Sequence, residues 1–518
     1  MRAVLRLPAL VCALIVAACA PPDAEPEAYD ILVVGGEVYD GSGAPAKPAR
    51  IGIRGDRIAT MAAAADARAA ETVDASGLVV MPGFIDPHTH AVLYVAPGKP
   101  AANVNYLRQG VTTVFVGSDG RGVADRERTL AALERHGSGV NVAFLAGHGL
   151  ARRQAVGMQD RAPTAAELEA MLNHVRGEIA AGAYGLSTGL YYAPGSYSDT
   201  DEVITLAAAA AELGGVYDTH LRDEGSNTVG LLAAVDEAVR IARDADIPVH
   251  ISHIKALGPD VWGQSGEVIA KIEAARAEGL DITANQYPWL ASGTRFSSVL
   301  LPRWAMAENA ETRHPDYTDR LKAGVEANIV RRGGPGAMRI TASENPYRGM
   351  TLEAAAEAMG TDAATAALRL IADGDPSIAS FAMHADDAAL FARQPWVMTG
   401  SDGSSGHPRL YGSYPKAWQD LVVPGTVSRS AFARRSAGLV AETFRVCERG
   451  LLREGYFADV VVIDPASYRP TATYERPAEL ATGVEALVVN GALVIAGGTL
   501  QNTSAGRVLR KTRATCDQ

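Results

Sequence analysis

The stretch Val79-Val80-Met81-Pro82-Gly83-Phe84-Ile85-Asp86-Pro87-His88-Thr89-His90 is an apolar run that ends in two histidines one residue apart. Side chains alternate between two sides along a β-strand, so His88 and His90 would point to the same side. Two neutral imidazoles can bind one divalent metal ion there. A bare His-x-His pair more often consists of two surface residues, but this pair follows a buried-looking strand. The stretch therefore predicts a metal site at a strand end.

Short apolar strands and helical patterns alternate through the middle of the chain. With the strand before His88 there are eight predicted strands, and the other seven are residues 112–117, 142–146, 184–187, 215–219, 248–252, 281–285 and 397–400. Helical patterns such as 164–181 and 201–213 fall between them. Eight strand–helix units predict an α/β fold of the (β/α)8 TIM-barrel type.

The two ends of the chain read instead as short strands and turns. We expect residues 30–80 and 440–518 to form one accessory β-sandwich domain, with residues 81–439 forming the barrel. Residues 295–395 are too many for a single connection between a strand and a helix. They are predicted to be an insertion with elements of its own.

The first 19 residues are predicted to be a bacterial lipoprotein-type signal peptide. Arg2 and Arg6 flank an apolar run, residues 7–16, which is too short to span a bilayer. The run ends in Val16-Ala17-Ala18-Cys19, which resembles a lipobox and would make Cys19 the lipidated first residue. Residues 20–29 would be a flexible tether. We expect export across the inner membrane, to the periplasm or to a lipid-anchored position in the cell envelope, with plain secretion as the alternative.

Composition narrows the class of partner. The chain has 518 residues, of which 47% are hydrophobic and 21% charged, so it can bury a large core. Its formal net charge is −11 and it has no run of lysine or arginine. These features argue against a nucleic-acid partner. Membrane contact is expected only through Cys19.

Polar residues follow several of the predicted strands, where barrel enzymes carry their catalytic groups. His250 and His253 have opposite parity on the sixth strand, so only one can face the barrel mouth. We assign His253 to the mouth and a structural role to His250. The polar residues at the strand ends are His88, His90, Asp119, His148, His220, His253, Tyr287 and Asp402.

These residues and their surroundings resemble the amidohydrolase superfamily, and within it the D-aminoacylase (N-acyl-D-amino-acid deacylase) branch. The resemblance runs from about residue 29 to residue 510. Its motifs are residues 82–90, 110–114, 182–190, 217–225, 251–255, 400–403 and 407–409.

The resemblance implies a zinc site of one or two ions. Asp402 would be both a ligand and the general acid/base, and the other implied ligands are His88, His90, His220 and His253. One position departs from the family, which often has Asn-Cys-Gly after the second strand, with the cysteine bridging two metals. This chain has Ser118-Asp119-Gly120. A carboxylate has two oxygens, so Asp119 is the predicted bridging ligand if the site holds two metal ions, with an exposed turn aspartate as the alternative.

Binding of a substrate carboxylate requires a cation near the metal site. Lys255 lies two residues after His253, so strand parity turns it towards the same mouth. The family holds the amino-acid carboxylate with a lysine and a tyrosine at the positions of Lys255 and Tyr287. Tyr192 and Arg409 are further candidates for the substrate pocket, with simple packing at the barrel rim as the alternative.

The sequence therefore predicts a zinc-dependent hydrolase of the amide bond in N-acyl-amino acids, with the D series favoured. A dipeptidase or a cyclic-amide hydrolase on the same scaffold is the alternative. Other amidohydrolases bridge their metals with a carboxylated lysine from the fourth strand, and no lysine lies between Lys99 and Lys255. An alternative of another class is a non-catalytic metal- or solute-binding lipoprotein, which would not need Asp402 beside four imidazoles. The oligomeric state stays open.

Overall fold

The computed structural model describes residues 27–91, 101–310 and 314–512. The predicted signal peptide, Cys19 and most of the predicted tether lie outside the described residues. The first strand, Ala28–Val34, takes in the last two residues of that tether and buries Tyr29. Within the described ranges, no helix combines the length and the apolar composition needed to cross a bilayer.

Parallel strands run through the middle of the chain in two sheets. The first contains Phe84–Asp86, Val111–Val116 and Asn141–Phe144. The second contains, in spatial order, Ala146–Gly147, Gly185–Gly189, Val216–His220, Val249–Ile251, Ile282–Gln286 and Val397–Thr399. Only Leu145 separates the third strand of the first sheet from the second sheet, and a parallel bridge between Thr89 and Gly403 links the segments after Phe84–Asp86 and Val397–Thr399. Eight strand positions thus follow one another in chain order, and the last seven each start and end within two residues of the predicted range.

The stretch 79–90 does not form one continuous strand. Val79–Pro82 pairs with Glu37–Val38 and Val460–Ile463, whereas Phe84–Asp86 is the first parallel strand. The break falls at Gly83, where an added Cβ would lie 2.3 Å from Thr112 Cγ2. His88 and His90 therefore follow the strand instead of lying on it. Backbone hydrogen bonds fix them, from the Asp402 amide to the His88 carbonyl and from the His90 amide to the Gly403 carbonyl.

Helices lie between the parallel strands along the chain, and further helices follow the last of these strands. The helix Ala165–Ala180 begins at a capping box, in which Thr164 Oγ1 accepts a hydrogen bond from the Glu167 amide and the Glu167 carboxylate accepts one from the Thr164 amide. The helices are Val104–Leu107, Arg126–His136, His148–Ala155, Ala165–Ala180, Thr200–Ala211, Leu231–Asp244, Ser265–Ala277, Ala385–Ala392, Arg409–Ala417, Arg429–Ala433 and Leu439–Phe444, with π-helical turns at Trp418–Val422 and Arg434–Gly438.

Strands from both ends of the chain form two further sheets that share one apolar core. Ile31 and Ile53 of the first sheet pack in one cluster with Val80 and Val460 of the second. The first sheet contains Arg57–Thr60, Ile51–Arg54, Ala28–Val34 and Arg68–Asp74; the second contains Glu37–Val38, Val79–Pro82, Val460–Ile463, Val484–Val489, Ala492–Ala496 and Thr499–Leu500. Residues 440–444 are still helical, and Phe444 packs on Phe115 of a parallel strand.

Residues 292–380 form a separate unit between the seventh and eighth parallel strands. Phe296, Leu352 and Ile378 belong to its own apolar core. Its sheet contains Ser292–Arg295, Ser377–Ser380 and Met338–Ile340, and its helices are Phe296–Leu300, Tyr317–Arg331, Leu352–Met359 and Ala363–Ala372. The last part of the predicted insertion, 295–395, is different, because Ala385–Ala392 packs against the helix Ser265–Ala277.

Candidate metal centre and active site

Six side chains from five strand ends meet beyond the carboxyl ends of the parallel strands. Asp119 is at the centre of the group. Its Oδ1 is 3.5 Å from His88 Nε2, 3.4 Å from His220 Nδ1 and 3.4 Å from His253 Nε2, and its Oδ2 is 3.3 Å from His90 Nε2. Asp119 is only 7% exposed. This position differs from that of an exposed turn aspartate.

The distances between these atoms match those expected between the ligands of a zinc ion. Zinc–nitrogen and zinc–oxygen bonds of about 2.1 Å in a tetrahedron place the ligand atoms roughly 3.4 Å apart. His220 Nδ1 and His253 Nε2 are 3.0 Å apart, and both are 3.4 Å from Asp119 Oδ1. On the other side of Asp119, Asp402 Oδ1 is 3.3 Å from His90 Nε2 and 3.7 Å from His88 Nε2. Three overlapping groups could each hold a metal ion: His88, His90 and Asp402; His88, Asp119 and His253; and His220, Glu224 and His253.

Unpaired ring nitrogens support the same interpretation. His88 is fully buried, and within the described part of the chain neither of its ring nitrogens has a hydrogen-bond partner. Among the described residues His220 Nε2 likewise has no hydrogen-bond partner, although Glu224 Oε2 lies 3.6 Å away. Buried polar atoms are rarely left unpaired in native proteins. The donor set and these free nitrogens therefore fit one or two zinc ions.

The electrostatics of the site also suit a cation. Burial lowers the pKa of His88 well below its usual value and lowers that of His220, so both rings are held in the neutral form that binds metals. Burial alone would raise the pKa of Asp119, but the surrounding imidazoles, His88 first, hold it well below the usual value. Burial also opposes a charge on His253, yet the carboxylates around it raise its pKa to about 9. The negative charge that retains this proton would attract a divalent cation.

Asp402 is held by two kinds of partner. Its Oδ1 faces the two histidines of the first strand end, and its Oδ2 forms a 2.7 Å ion pair with Arg409 Nη1. Burial opposes ionisation, but Arg409 and the imidazoles keep the pKa of Asp402 below its usual range. The side chain is therefore an ionised carboxylate, fixed in orientation beside the metal ligands.

Glu224 is a member of the site that the sequence did not reveal. Its Oε1 accepts a 2.6 Å hydrogen bond from Lys255 Nζ and lies 3.0 Å from His253 Nδ1, while its Oε2 is 3.6 Å from His220 Nε2. It lies four residues after His220 in irregular backbone, so helical spacing gave no signal. Glu224 orients two histidines and neutralises the charge of Lys255.

The predicted substrate-binding residues occupy different places. Tyr192 and Lys255 line a cavity of about 930 Å³ that also contains the metal-ligand candidates His90, Asp119, His220, His253 and Asp402. Tyr287 and Arg409 are not among its lining residues. The Tyr287 hydroxyl faces Met383 Sδ at 3.7 Å, and its ring lies 4.7 Å from the Arg409 guanidinium carbon and 5.6 Å from Lys255 Nζ. Tyr287 thus supports both cations through its ring.

Two other histidines have structural partners. His250 Nε2 donates to Asn285 Oδ1 at 3.0 Å, and the same oxygen accepts a hydrogen bond from the His253 amide at 2.9 Å. His250 therefore supports His253 from behind, as its parity indicated. His148, at the third strand end, pairs with Glu202 at 2.9 Å.

Comparison with known proteins places the chain in a family. Residues 71–495 match the amidohydrolase family model. The D-aminoacylase of Alcaligenes xylosoxydans xylosoxydans is 34% identical over 527 residues, which cover 95% of this chain and 99% of the relative. The chain belongs to the amidohydrolase family.

Two solved structures are similar over 93% of this chain and 100% of their own length. One is the N-acyl-D-glutamate deacylase of Bordetella bronchiseptica, complexed with zinc and a phosphonate inhibitor that mimics the tetrahedral intermediate; its TM-score is 0.81 at 32% identity. The other is a D-aminoacylase with a binuclear metal centre, described as activated by one metal and attenuated by a second; its TM-score is 0.79 at 31% identity. These neighbours imply that the parallel strands belong to a TIM-barrel catalytic domain of mixed α/β class.

Proposed function

We propose that this protein is a zinc-dependent amidohydrolase that cleaves the linear amide bond of N-acyl-D-amino acids. The single observation that carries the proposal is the group of four histidines and Asp402 around Asp119. Similarity over nearly the whole chain to deacylases of N-acyl-D-amino acids supports the choice of substrate.

The metal and Asp402 would share the chemistry. Zinc held by His88, His90, His220, His253, Asp119 and Asp402 would lower the pKa of a water molecule and polarise the substrate carbonyl. Asp402 would accept a proton from the attacking water and donate it to the leaving amine. Its ion pair with Arg409 keeps the carboxylate ionised and ready to accept that proton. Asp119 would bridge two zinc ions, or bind one.

The remaining residues would hold the substrate. Lys255 lines the cavity and would bind the amino-acid carboxylate, and Tyr287 and Arg409 would support it from behind the lining residues. Tyr192 packs its ring against His220, with 4.7 Å between ring centroids, and would contact the acyl group beside the metal. Glu224 would keep Lys255 and His253 in place.

The alternatives are not favoured. A cyclic-amide hydrolase with a carboxylated lysine bridge would need a lysine on the fourth strand, and Gly185–Gly189 has none. A non-catalytic binding protein would not need a carboxylate fixed by an arginine at the metal ligands.

A substrate screen tests the function directly. The zinc-loaded protein would be assayed with N-acetyl-D- and N-acetyl-L-amino acids and with dipeptides. We expect turnover of N-acetyl-D-amino acids that is lost on chelation and restored by zinc. Full activity of a metal-free preparation, or turnover confined to dipeptides or cyclic amides, would contradict the proposal.

We further propose that the eight parallel strands close into a (β/α)8 barrel, with the two terminal sheets as an accessory β-sandwich. The bridge between Thr89 and Gly403 and the shared core of the two sheets support this arrangement.

We also propose export as a lipoprotein anchored at Cys19. Labelling with a fatty acid in cells should modify the wild type but not Cys19→Ala, and an unlabelled wild type would contradict the anchor.

A further inference from the structure

A buried arginine in the insertion has no role in the function proposed above. Arg332 follows the helix Tyr317–Arg331 of that unit and is only 3% exposed, yet it lines the same cavity as the metal-ligand candidates. Its only side-chain hydrogen bond within the described part of the chain runs from Nη2 to the Tyr191 hydroxyl, at 2.8 Å. Its Nε is buried without a partner.

Other buried arginines of this protein are differently placed. Arg152 pairs with Glu202, Arg409 with Asp402 and Arg449 with Asp459. Arg435 donates to the backbone carbonyl of Ala392 and does not line the cavity. Among the described residues, no carboxylate oxygen lies within 4 Å of the Arg332 guanidinium. A buried cation without a counterion is unfavourable, so a site that retains one is suited to bind an anion.

The carboxylate that stabilises the charge of Arg332 from a distance already has other partners. Glu224 is an acidic side chain within electrostatic reach, but Lys255 and His253 already contact its Oε1. Tyr191 holds the guanidinium in place with its hydroxyl, and Arg303 stacks on the Tyr191 ring at 4.2 Å. The guanidinium is therefore oriented before any ligand arrives, as in sites that bind carboxylates with two hydrogen bonds.

The position of Arg332 separates it from the group proposed to bind the amino-acid carboxylate. Tyr191, its partner, follows the fourth parallel strand. Lys255, Tyr287 and Arg409 follow the sixth, seventh and eighth strands. One substrate lying across the metal ligands could therefore present one carboxylate to each group.

We infer that Arg332 forms a second anion subsite and that the preferred substrates are dianionic N-acyl-amino acids, whose second carboxylate binds the Arg332 guanidinium. The inference rests on the proposed amide hydrolysis and names its substrate class. The second carboxylate could belong to the amino-acid side chain or to the far end of a dicarboxylic acyl group. The chemistry at Arg332 is the same in both cases.

Two matched substrate pairs test the inference and distinguish the two sources. N-acetyl-D-glutamate and N-acetyl-D-glutamine differ in the charge of the side chain. N-succinyl-D-leucine and N-butanoyl-D-leucine differ in the charge of the acyl group. We expect the wild type to prefer the charged member of one pair, and that pair identifies the source.

The variant Arg332→Gln should abolish that preference. Hydrogen bonds to charged groups are strong, so their loss should lower kcat/KM for the substrate with the second carboxylate by about 10- to 150-fold, mainly through KM. For the other member of the pair, which lacks the second carboxylate, kcat/KM should change by less than about threefold, because that substrate makes no contact with Arg332. Arg348→Gln is the matched control, because Arg348 lines the same cavity but is exposed. It should retain the preference.

Two results would contradict the inference. An equal fall in kcat/KM on both members of a pair, with normal zinc content, would make Arg332 a structural residue. The absence of a preference in both pairs would refute the subsite. If Arg332→Gln does not fold, Arg332→Lys keeps a charge and should still lower the preference. Turnover of N-acetyl-D-leucine tests the proposed function alone. If nothing is cleaved, calorimetry with both substrate pairs decides, since equal binding of the two members in each pair to wild type would refute the subsite.

Discussion

Replacing Asp119 by asparagine tests the centre of the site most sharply. Asp119 has a backbone φ of 56°, a left-handed conformation that asparagine tolerates and alanine does not. Asp119→Asn therefore keeps the shape and the backbone, removes the charge and replaces one acceptor oxygen by an amide donor. The carboxylate lies within 3.5 Å of ring nitrogens from four histidines, so its loss affects both groups of candidate ligands at once.

The size of the effect follows from the position of the carboxylate. Changing a residue that only supports a metal ligand lowers metal affinity by about 10- to 100-fold. Asp119 touches the candidate ligands directly, so we expect a loss of at least about 100-fold in zinc affinity, equivalent to about 2.7 kcal/mol. The stabilisation by excess zinc should shrink by a similar amount, because ligand binding and folding are linked.

Zinc affinity would be measured by competition with a chelator, together with zinc content after dialysis and thermal unfolding with and without zinc. Asp125→Asn is the control, because Asp125 also has a positive φ, 43°, but is exposed. Asp119→Cys should retain at least one tightly bound ion, since thiolate is a good zinc ligand. Wild-type zinc affinity and turnover in Asp119→Asn would show that Asp119 is not a ligand.

Three further predictions concern single residues. Asp402→Asn should keep the fold and lower kcat by about 10²- to 10⁴-fold through loss of proton transfer, and near-normal kcat in steady-state assays would assign the base elsewhere. Lys255→Met should lower kcat/KM by about 10- to 150-fold for an N-acyl-amino acid but far less for its amide, which lacks the carboxylate; equal losses would mean that Lys255 only supports Glu224 and His253. Burial lowers the pKa of His250 to about 3 from 6.5, so the unfolded state takes up a proton before the folded state does, and stability should fall as pH drops from about 6.5 towards 3. Denaturant unfolding of His250→Gln across this range should show a weaker pH dependence than the wild type, and an unchanged slope would contradict the assignment.

The sequence predicted the parallel strands well because each is short and fully buried, and polar residues lie at or just after the ends of most of them. It did not predict the break at Gly83, because that break depends on the close approach of Thr112, which is distant in sequence. The pattern 79–90 looks like one strand, whereas the structure divides it between two sheets. Hydrophobic periodicity reports burial, but it does not report which sheet a segment joins.

The same limit applies to the site. The expectation that polar residues after the parallel strands form the site singled out His88, Asp119, His220, His253 and Asp402. It worked because the carboxyl ends of parallel strands meet at one edge of the sheet. Glu224 lies in irregular backbone after the fifth parallel strand, and Arg332 lies at the end of a helix in the insertion. Neither position belongs to a periodic sequence pattern that would single it out. Their roles depend on contacts between segments that are distant in sequence. Glu224 contacts Lys255 and His253, and Arg332 contacts Tyr191. Such contacts exist only in the folded chain.

The aspartate at position 119 has consequences for the metal itself. Carboxylate is a harder ligand than thiolate, so a site built on Asp119 should discriminate less strongly between zinc and other divalent first-row metals than a site built on cysteine. A thiolate is also open to oxidation, and a carboxylate is not. For a chain exported to an oxidising compartment, as proposed above, a carboxylate at the centre of the four histidines would preserve the metal site where a cysteine could be lost to oxidation or to a disulfide. An aspartate at position 119, where the resemblance implies a cysteine, and the proposed export are therefore physically consistent with each other.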